Sequence, residues 1–252
     1  MIRRTTISLA VVTGLLLGLP LAGLAEESSS TKPMLVADAK DATAMKTIAY
    51  QPPRKGAPSP GLRRGGGTRG MNQSVPVISL LAPEHVGLTV SEQPTLYWFT
   101  PTKQDQAFEF TLIGENAEAP AVETKLSSPI QPGIHQIKLS DYKVKLSPGE
   151  RYNWSVALIV DAEERSANIV AKGAIERIDR DKMEQPVAAN LSDADAAKRY
   201  AEAGIWYDAV MALSDQIQAN PADTTWRQMR AELLEQAGLT EVAANDLKAR
   251  TK

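Results

Sequence analysis

The 252-residue chain has no cysteine, two histidines and an aromatic content of 5%. The missing cysteines exclude disulfides, thiolate metal sites, cysteine nucleophiles and the acylated cysteine of a bacterial lipoprotein. His85 sits in a Pro83–Gly87 loop and His135 in an alternating run; they form neither an HxH nor an HxxxH spacing, so they are a poor metal pair. An excess of either charge is also lacking: 28 Lys+Arg face 30 Asp+Glu, for a net −2, which excludes a generally basic nucleic-acid binder. No GxSxG elbow surrounds a serine, and Asp161, Glu163 and Glu164 lack the alternating oxygens of a calcium loop. No catalytic residue, cofactor or metal is therefore assigned. A dispersed Ser-His-Asp site leaves no local signature and stays open.

Long apolar runs are scarce as well, with one exception. Met1-Ile2-Arg3-Arg4 is followed by uncharged residues from Thr5 to Ala25, then by Glu26-Glu27 and three serines. A basic start, an apolar core and small residues at 23 and 25 make the pattern of a secretory signal peptide cut after Ala25. Export to the periplasm or the cell exterior is expected. The alternative is an uncleaved N-terminal anchor, since 21 uncharged residues can just span about 30 Å of bilayer. After cleavage no integral membrane segment is expected, and loss of Arg3 and Arg4 leaves a formal −4.

Acidic residues are absent from 42 to 83, where Lys46, Arg54, Lys55, Arg63, Arg64 and Arg69 lie among prolines and glycines. Between Gln51 and Gly70 the one large apolar side chain is Leu62. Such a stretch buries too little surface to offset its own ordering, so residues 26–73 read as a disordered basic linker. Its glycines lack the preceding strand and the following Lys-Ser/Thr of a phosphate loop, and no aromatics are interleaved for nucleic-acid binding. Arg63, Arg64 and Arg69 are candidate contacts for an anionic surface, with a solvated tether as the plainer reading.

Residues 74–180 alternate with period two. Runs at 75–81, 95–100, 107–114, 121–126, 134–139, 151–160 and 168–178 predict about seven short strands, the size of an immunoglobulin-like or fibronectin-III-like sandwich. Trp98 and Trp154 fall in such strands and read as core; sugar stacking is the alternative.

Past Pro186 the period becomes 3.6. Ser192 opens a first helix and Gly204 ends it, Trp206 to Ile217 carry the stripe of a second, and Asn220-Pro221 stop that. Trp226 to Ala237 line a third helix, and Thr240 caps a short fourth. An offset of 34 residues superposes Ala197 on Ala231, Gly204 on Gly238, Ala209 on Ala243 and Leu213 on Leu247, the tetratricopeptide period. Residues 186–252 are thus a tetratricopeptide-like helical tail. With under two repeats it must dock on the sandwich, because such stacks need about three. Trp206 and Tyr207 are the candidate partner-binding residues, with Trp206 in the buried stripe and Tyr207 about 100° around the helix.

Three stretches carry a family resemblance: Arg63-Arg64-Gly-Gly-Gly-Thr-Arg69-Gly70 running into Leu80-Leu81-Ala-Pro83, Gly149-Glu-Arg-Tyr152-Asn-Trp154, and Tyr200-Ala-Glu-Ala-Gly204-Ile-Trp206-Tyr207. Together they resemble the cyanobacterial family of the domain of unknown function 928, over about residues 55–240. That resemblance implies this architecture and a cyanobacterial source but no activity. The second stretch also resembles the tyrosine corner of fibronectin-III domains, which implies that Tyr152 fixes a turn.

The expected fold is α+β with separate modules: an antiparallel β-sandwich, then a helical hairpin pair. The expected function is a non-enzymatic exported interaction or scaffold protein of the cell envelope, with another envelope or exported protein as partner. Alternatives are a small-molecule-binding periplasmic protein and an envelope glycan hydrolase, which needs two carboxylates about 5–9.5 Å apart.

Overall fold

Alternation along the middle of the chain resolves into nine strands, seen in a computed structural model that describes residues 47–53, 57–59, 61–65, 78–182 and 193–249. The expected leader, and the linker apart from the residues just given, lie outside the described residues. The strands are β1 (Arg64–Gly65), β2 (Ile78–Leu80), β3 (Gly87–Thr89), β4 (Thr95–Thr100), β5 (Phe108–Gly114), β6 (Val122–Leu126), β7 (Gly133–Lys138), β8 (Arg151–Leu158) and β9 (Ile169–Arg177). One sheet has the order β1-β2-β4-β7 and the other β3-β9-β8-β5-β6. All neighbours are antiparallel except β3 and β9.

Period two sets the inner faces. Phe108, Phe110 and Leu112 of β5 are buried while Glu109 and Thr111 are half-exposed, and Trp154 and Val156 of β8 face the same core. The Trp98 ring stands 4.9 Å from that of Phe108, which places both tryptophans in the core. The Tyr152 hydroxyl accepts from the Ser147 backbone N–H at 3.1 Å and donates to Glu150 at 2.8 Å, so it ties down its own preceding turn. The two strands missing from the sequence expectation, β1 and β3, span two and three residues and are too short to show a period.

The helices are α1 (Asp193–Glu202), α2 (Trp206–Ala219), α3 (Thr224–Gln236) and α4 (Thr240–Lys248). Gly204 and Gly238, 34 residues apart, adopt φ of +75° and +74°, the left-handed conformation that ends a helix and which a β-carbon disfavours. The repeat is therefore real at the backbone. Its caps are not the expected ones: Ser192 lies outside the described residues, and Thr240 is the first residue of α4, behind an uncapped Leu239. Asp223 caps α3, accepting from the Thr225 N–H at 2.9 Å.

The tail covers the sandwich. In β4 all six residues are buried, although strict alternation leaves half of them facing away from the core. Leu96 and Trp98 serve the core, while Tyr97 approaches Ser214 and Arg230 of the tail. One apolar cluster accordingly runs without a break from Ile78 to Ala243.

It also takes in Ile48, which corrects the expected linker over its described part. The Gln51 N–H donates to the Ala201 carbonyl at 3.1 Å, and the Tyr50 N–H donates to Gln236 at 2.8 Å. Leu62 and Arg63 offer their carbonyls to the N–H groups of Lys172 and Leu80, each at 2.8 Å. Low apolar content did not leave these segments free, because their backbone groups are satisfied by strands and helices already in place.

Candidate functional site

Trp206 and Tyr207 open α2, and both are buried, at 0% and 1% exposure. The Trp206 indole N–H donates to the Leu81 carbonyl at 2.8 Å. The Tyr207 hydroxyl accepts from the Trp154 indole N–H at 2.9 Å and donates to the Ala174 carbonyl at 3.0 Å. Tyr207 thus points inward, contrary to expectation, because the first turn of α2 is wedged against the sandwich on more than one side. Neither residue is available to a partner.

Beside them Asp208 is buried, and one carboxylate oxygen accepts from the Val90 N–H at 3.1 Å. Burial pushes its carboxyl up to about 6, against the pull of the Thr89 hydroxyl, the Val90 N–H and Arg180. These residues form a joint between tail and sandwich.

Two of the expected anion-binding arginines belong to the same joint. Arg63 donates to the Ala82 carbonyl at 3.2 Å, to Glu84 at 2.8 Å and to the Ala237 carbonyl just past α3. A cation at that helix end meets the negative pole of the helix dipole. Burial pulls the Arg63 guanidinium below its ordinary value, with Glu84 opposing and Arg64 adding to the pull. Arg64 pairs with Glu241 of α4. Both therefore bind the protein's own tail rather than a free surface; Arg69 lies outside the described residues. The histidines are apart and engaged, His85 with the Tyr50 hydroxyl at 2.9 Å and His135 with the Gln131 carbonyl at 2.7 Å. Among the described residues no group of three potential ligands could hold a metal ion.

A wide opening lies elsewhere, between β7 and the tail, which meet where Gln218 donates to Gln136 at 3.2 Å. A cleft of about 850 Å³ runs between residues 133–136 of β7 and the helices α2, α3 and α4. Its inner wall is polar and organised. Arg230 holds Asp246 with two hydrogen bonds of 2.8 and 2.7 Å and reaches the Ser214 hydroxyl at 2.8 Å. Ser214 in turn donates to the Val210 carbonyl at 2.7 Å. Arg227 touches the same carboxylate at 3.2 Å from the more open side. Tyr97 also lines this wall, 3% exposed, with its hydroxyl turned toward Ser214 and Thr95. Burial pushes that phenol up to about 12, with Asp215 adding to the push and Ser214 and Arg230 opposing it.

Sequence reasoning passed over this wall, yet a signal was there. Arg230 stands among Trp226, Met229 and Leu233 on the apolar stripe of α3, and Asp246 lies four residues after Val242 on that of α4. Opposite charges on two facing apolar stripes announce a buried pair. Of the described residues lining the cleft, Asp246 alone is a carboxylate, and both arginines hold it.

A family model described as a domain of unknown function, DUF928, matches residues 64–247. No curated protein matches the sequence. A solved structure, a multi-domain immunophilin from Arabidopsis thaliana, aligns at 10% identity over 69% of this chain and 92% of its own, with a TM-score of 0.16. A score so low carries no structural inference.

Proposed function

The chain belongs to the DUF928 family, and on that premise we propose that it is a non-enzymatic interaction protein of the cell envelope, exported and binding a partner protein in the cleft between β7 and the helical tail. One observation carries this reading. The tail is locked to the sandwich through buried polar contacts at Trp206, Tyr207 and Asp208, and beside β7, where Gln218 of α2 donates to Gln136 at 3.2 Å, a built, half-open wall is left. A rigid concave surface with organised polar groups suits recognition, and its single carboxylate is already occupied by two arginines. Docking of the described linker residues onto sandwich and helices supports a platform of fixed geometry rather than loosely tethered modules.

Photocrosslinking in the native envelope tests it. A benzophenone side chain at exposed Gln136, on the cleft, should give a discrete protein adduct. The same group at exposed Glu118, in the β5–β6 connection, should give none. Equal labelling from both positions, or none from either, would sink the reading.

A further inference from the structure

The cleft also indicates what kind of segment enters it. We propose that it takes an extended acidic peptide of a partner protein, laid along the free edge of β7 with its carboxylates toward Arg227 and Lys248. This rests on the cleft being the partner site, and it adds the chemistry of the occupant.

The edge comes first. β7 is the last strand of its sheet and pairs with β4 on one side only. In an antiparallel ladder every second residue turns its N–H and C=O away from its neighbour, so β7 presents backbone groups that no described strand takes up. Edges of this kind are usually blocked, or else used by an added strand. Six residues offer about 20 Å of edge, enough for a peptide segment of similar length.

Charge sets the sign. The charged side chains that line the cleft are Arg227, Arg230 and Lys248 against Asp246. Arg230 and Asp246 neutralise each other in a two-pronged pair, which leaves Arg227 and Lys248 in surplus. Arg227 spends one of its guanidinium nitrogens on a carboxylate already held by Arg230, so it keeps donors for another. Lys248, on the last turn of α4, is exposed and makes no ion pair among the described residues.

An acidic polysaccharide would answer the charge, but it has no run of backbone amides to extend the sheet.

The test uses the full chain and three probes: a labelled ten-residue peptide of Glu, Thr and Val, the same peptide with Lys in place of Glu, and polygalacturonate. Fluorescence anisotropy should show the Glu peptide binding and the Lys peptide weaker by about tenfold or more. Hydrogen exchange at residues 133–138 should slow when the Glu peptide is bound. The double substitution Arg227→Gln, Lys248→Gln should weaken the Glu peptide about tenfold with thermal unfolding unchanged. Equal affinity for the Lys peptide overturns the proposal, as does binding without slowed exchange in β7. Polygalacturonate binding in place of the Glu peptide does the same. A crosslink from position 136 combined with no Glu-peptide binding rejects the acidic segment but keeps the partner site. No crosslink from position 136 removes both.

Discussion

Tyr207 stands between the Trp154 indole and the Ala174 carbonyl, donating to one partner and accepting from the other. Replacing it with Phe keeps the ring and leaves two buried groups without partners, at about 1–3 kcal/mol for each that finds no substitute. Denaturant unfolding of Tyr207→Phe should therefore show a loss of that order, while labelling at position 136 stays intact. An unchanged midpoint would mean that the joint does not depend on this hydroxyl. Asp208 makes a prediction of opposite character. Its folded-state carboxyl titrates at about 6, above the ordinary 3.8, so the folded state binds its proton first as pH falls. Unfolding free energy should then rise as pH drops from 7 toward 4, by up to about 3 kcal/mol from this group, and the gain is lost as pH climbs through 6. Asp208→Asn retains an acceptor for the Val90 N–H and should flatten that slope; an unaltered slope would refute the assignment.

At the scale of elements, the two helical hairpins share a turn but not its surroundings. A β-carbon at Gly204 would stand 2.8 Å from the Gln51 carbonyl oxygen and 3.3 Å from the Pro53 ring. At Gly238 the nearest atom is the end of the Arg63 side chain, at 3.1 Å, which can swing aside. Left-handed backbone costs either alanine about 1–2 kcal/mol. Gly204→Ala adds a backbone clash to that, so its thermal midpoint should fall further than that of Gly238→Ala. The reverse order would show that the arm around Gln51 is not held against α1. The contrast also explains why the 34-residue period, plain in the sequence, says nothing of what each turn meets.

For the whole molecule, the described parts of residues 47–65 act as a strap across sandwich and tail. Ile48 is buried in the common core, Tyr50 bonds Gln236 and His85, and Arg63 bridges Ala82, Glu84 and Ala237. A chain beginning at residue 74 should lose on the order of 3–5 kcal/mol relative to one beginning at residue 26, or about 10 °C in midpoint. A mere tether would leave the midpoint where it was. Calorimetry of the two chains separates these outcomes, and the same scan should give one transition for the longer chain because its core is continuous.

Much of this protein follows from local pattern. Alternation placed Thr95–Thr100 to the residue and came within a few residues at the other long strands; the 34-residue offset placed both helical turns. These features were legible because strand pleat, helix period and left-handed glycine are properties of short segments. The direction of Tyr207 was not legible, since a helix opening against several surfaces has no outer face. Nor was the docking of Arg63, whose partners Ala82 and Ala237 lie 19 and 174 residues further along the chain. The cleft wall sits between these cases: Arg230 and Asp246 mark themselves as charges on apolar stripes, but only the meeting of α3 with α4 makes them a pair. Sequence determined the elements and their periods, because those depend on neighbours along the chain. Tertiary structure decided which faces were left uncovered, because that depends on side chains more than a hundred residues apart competing for the same surface.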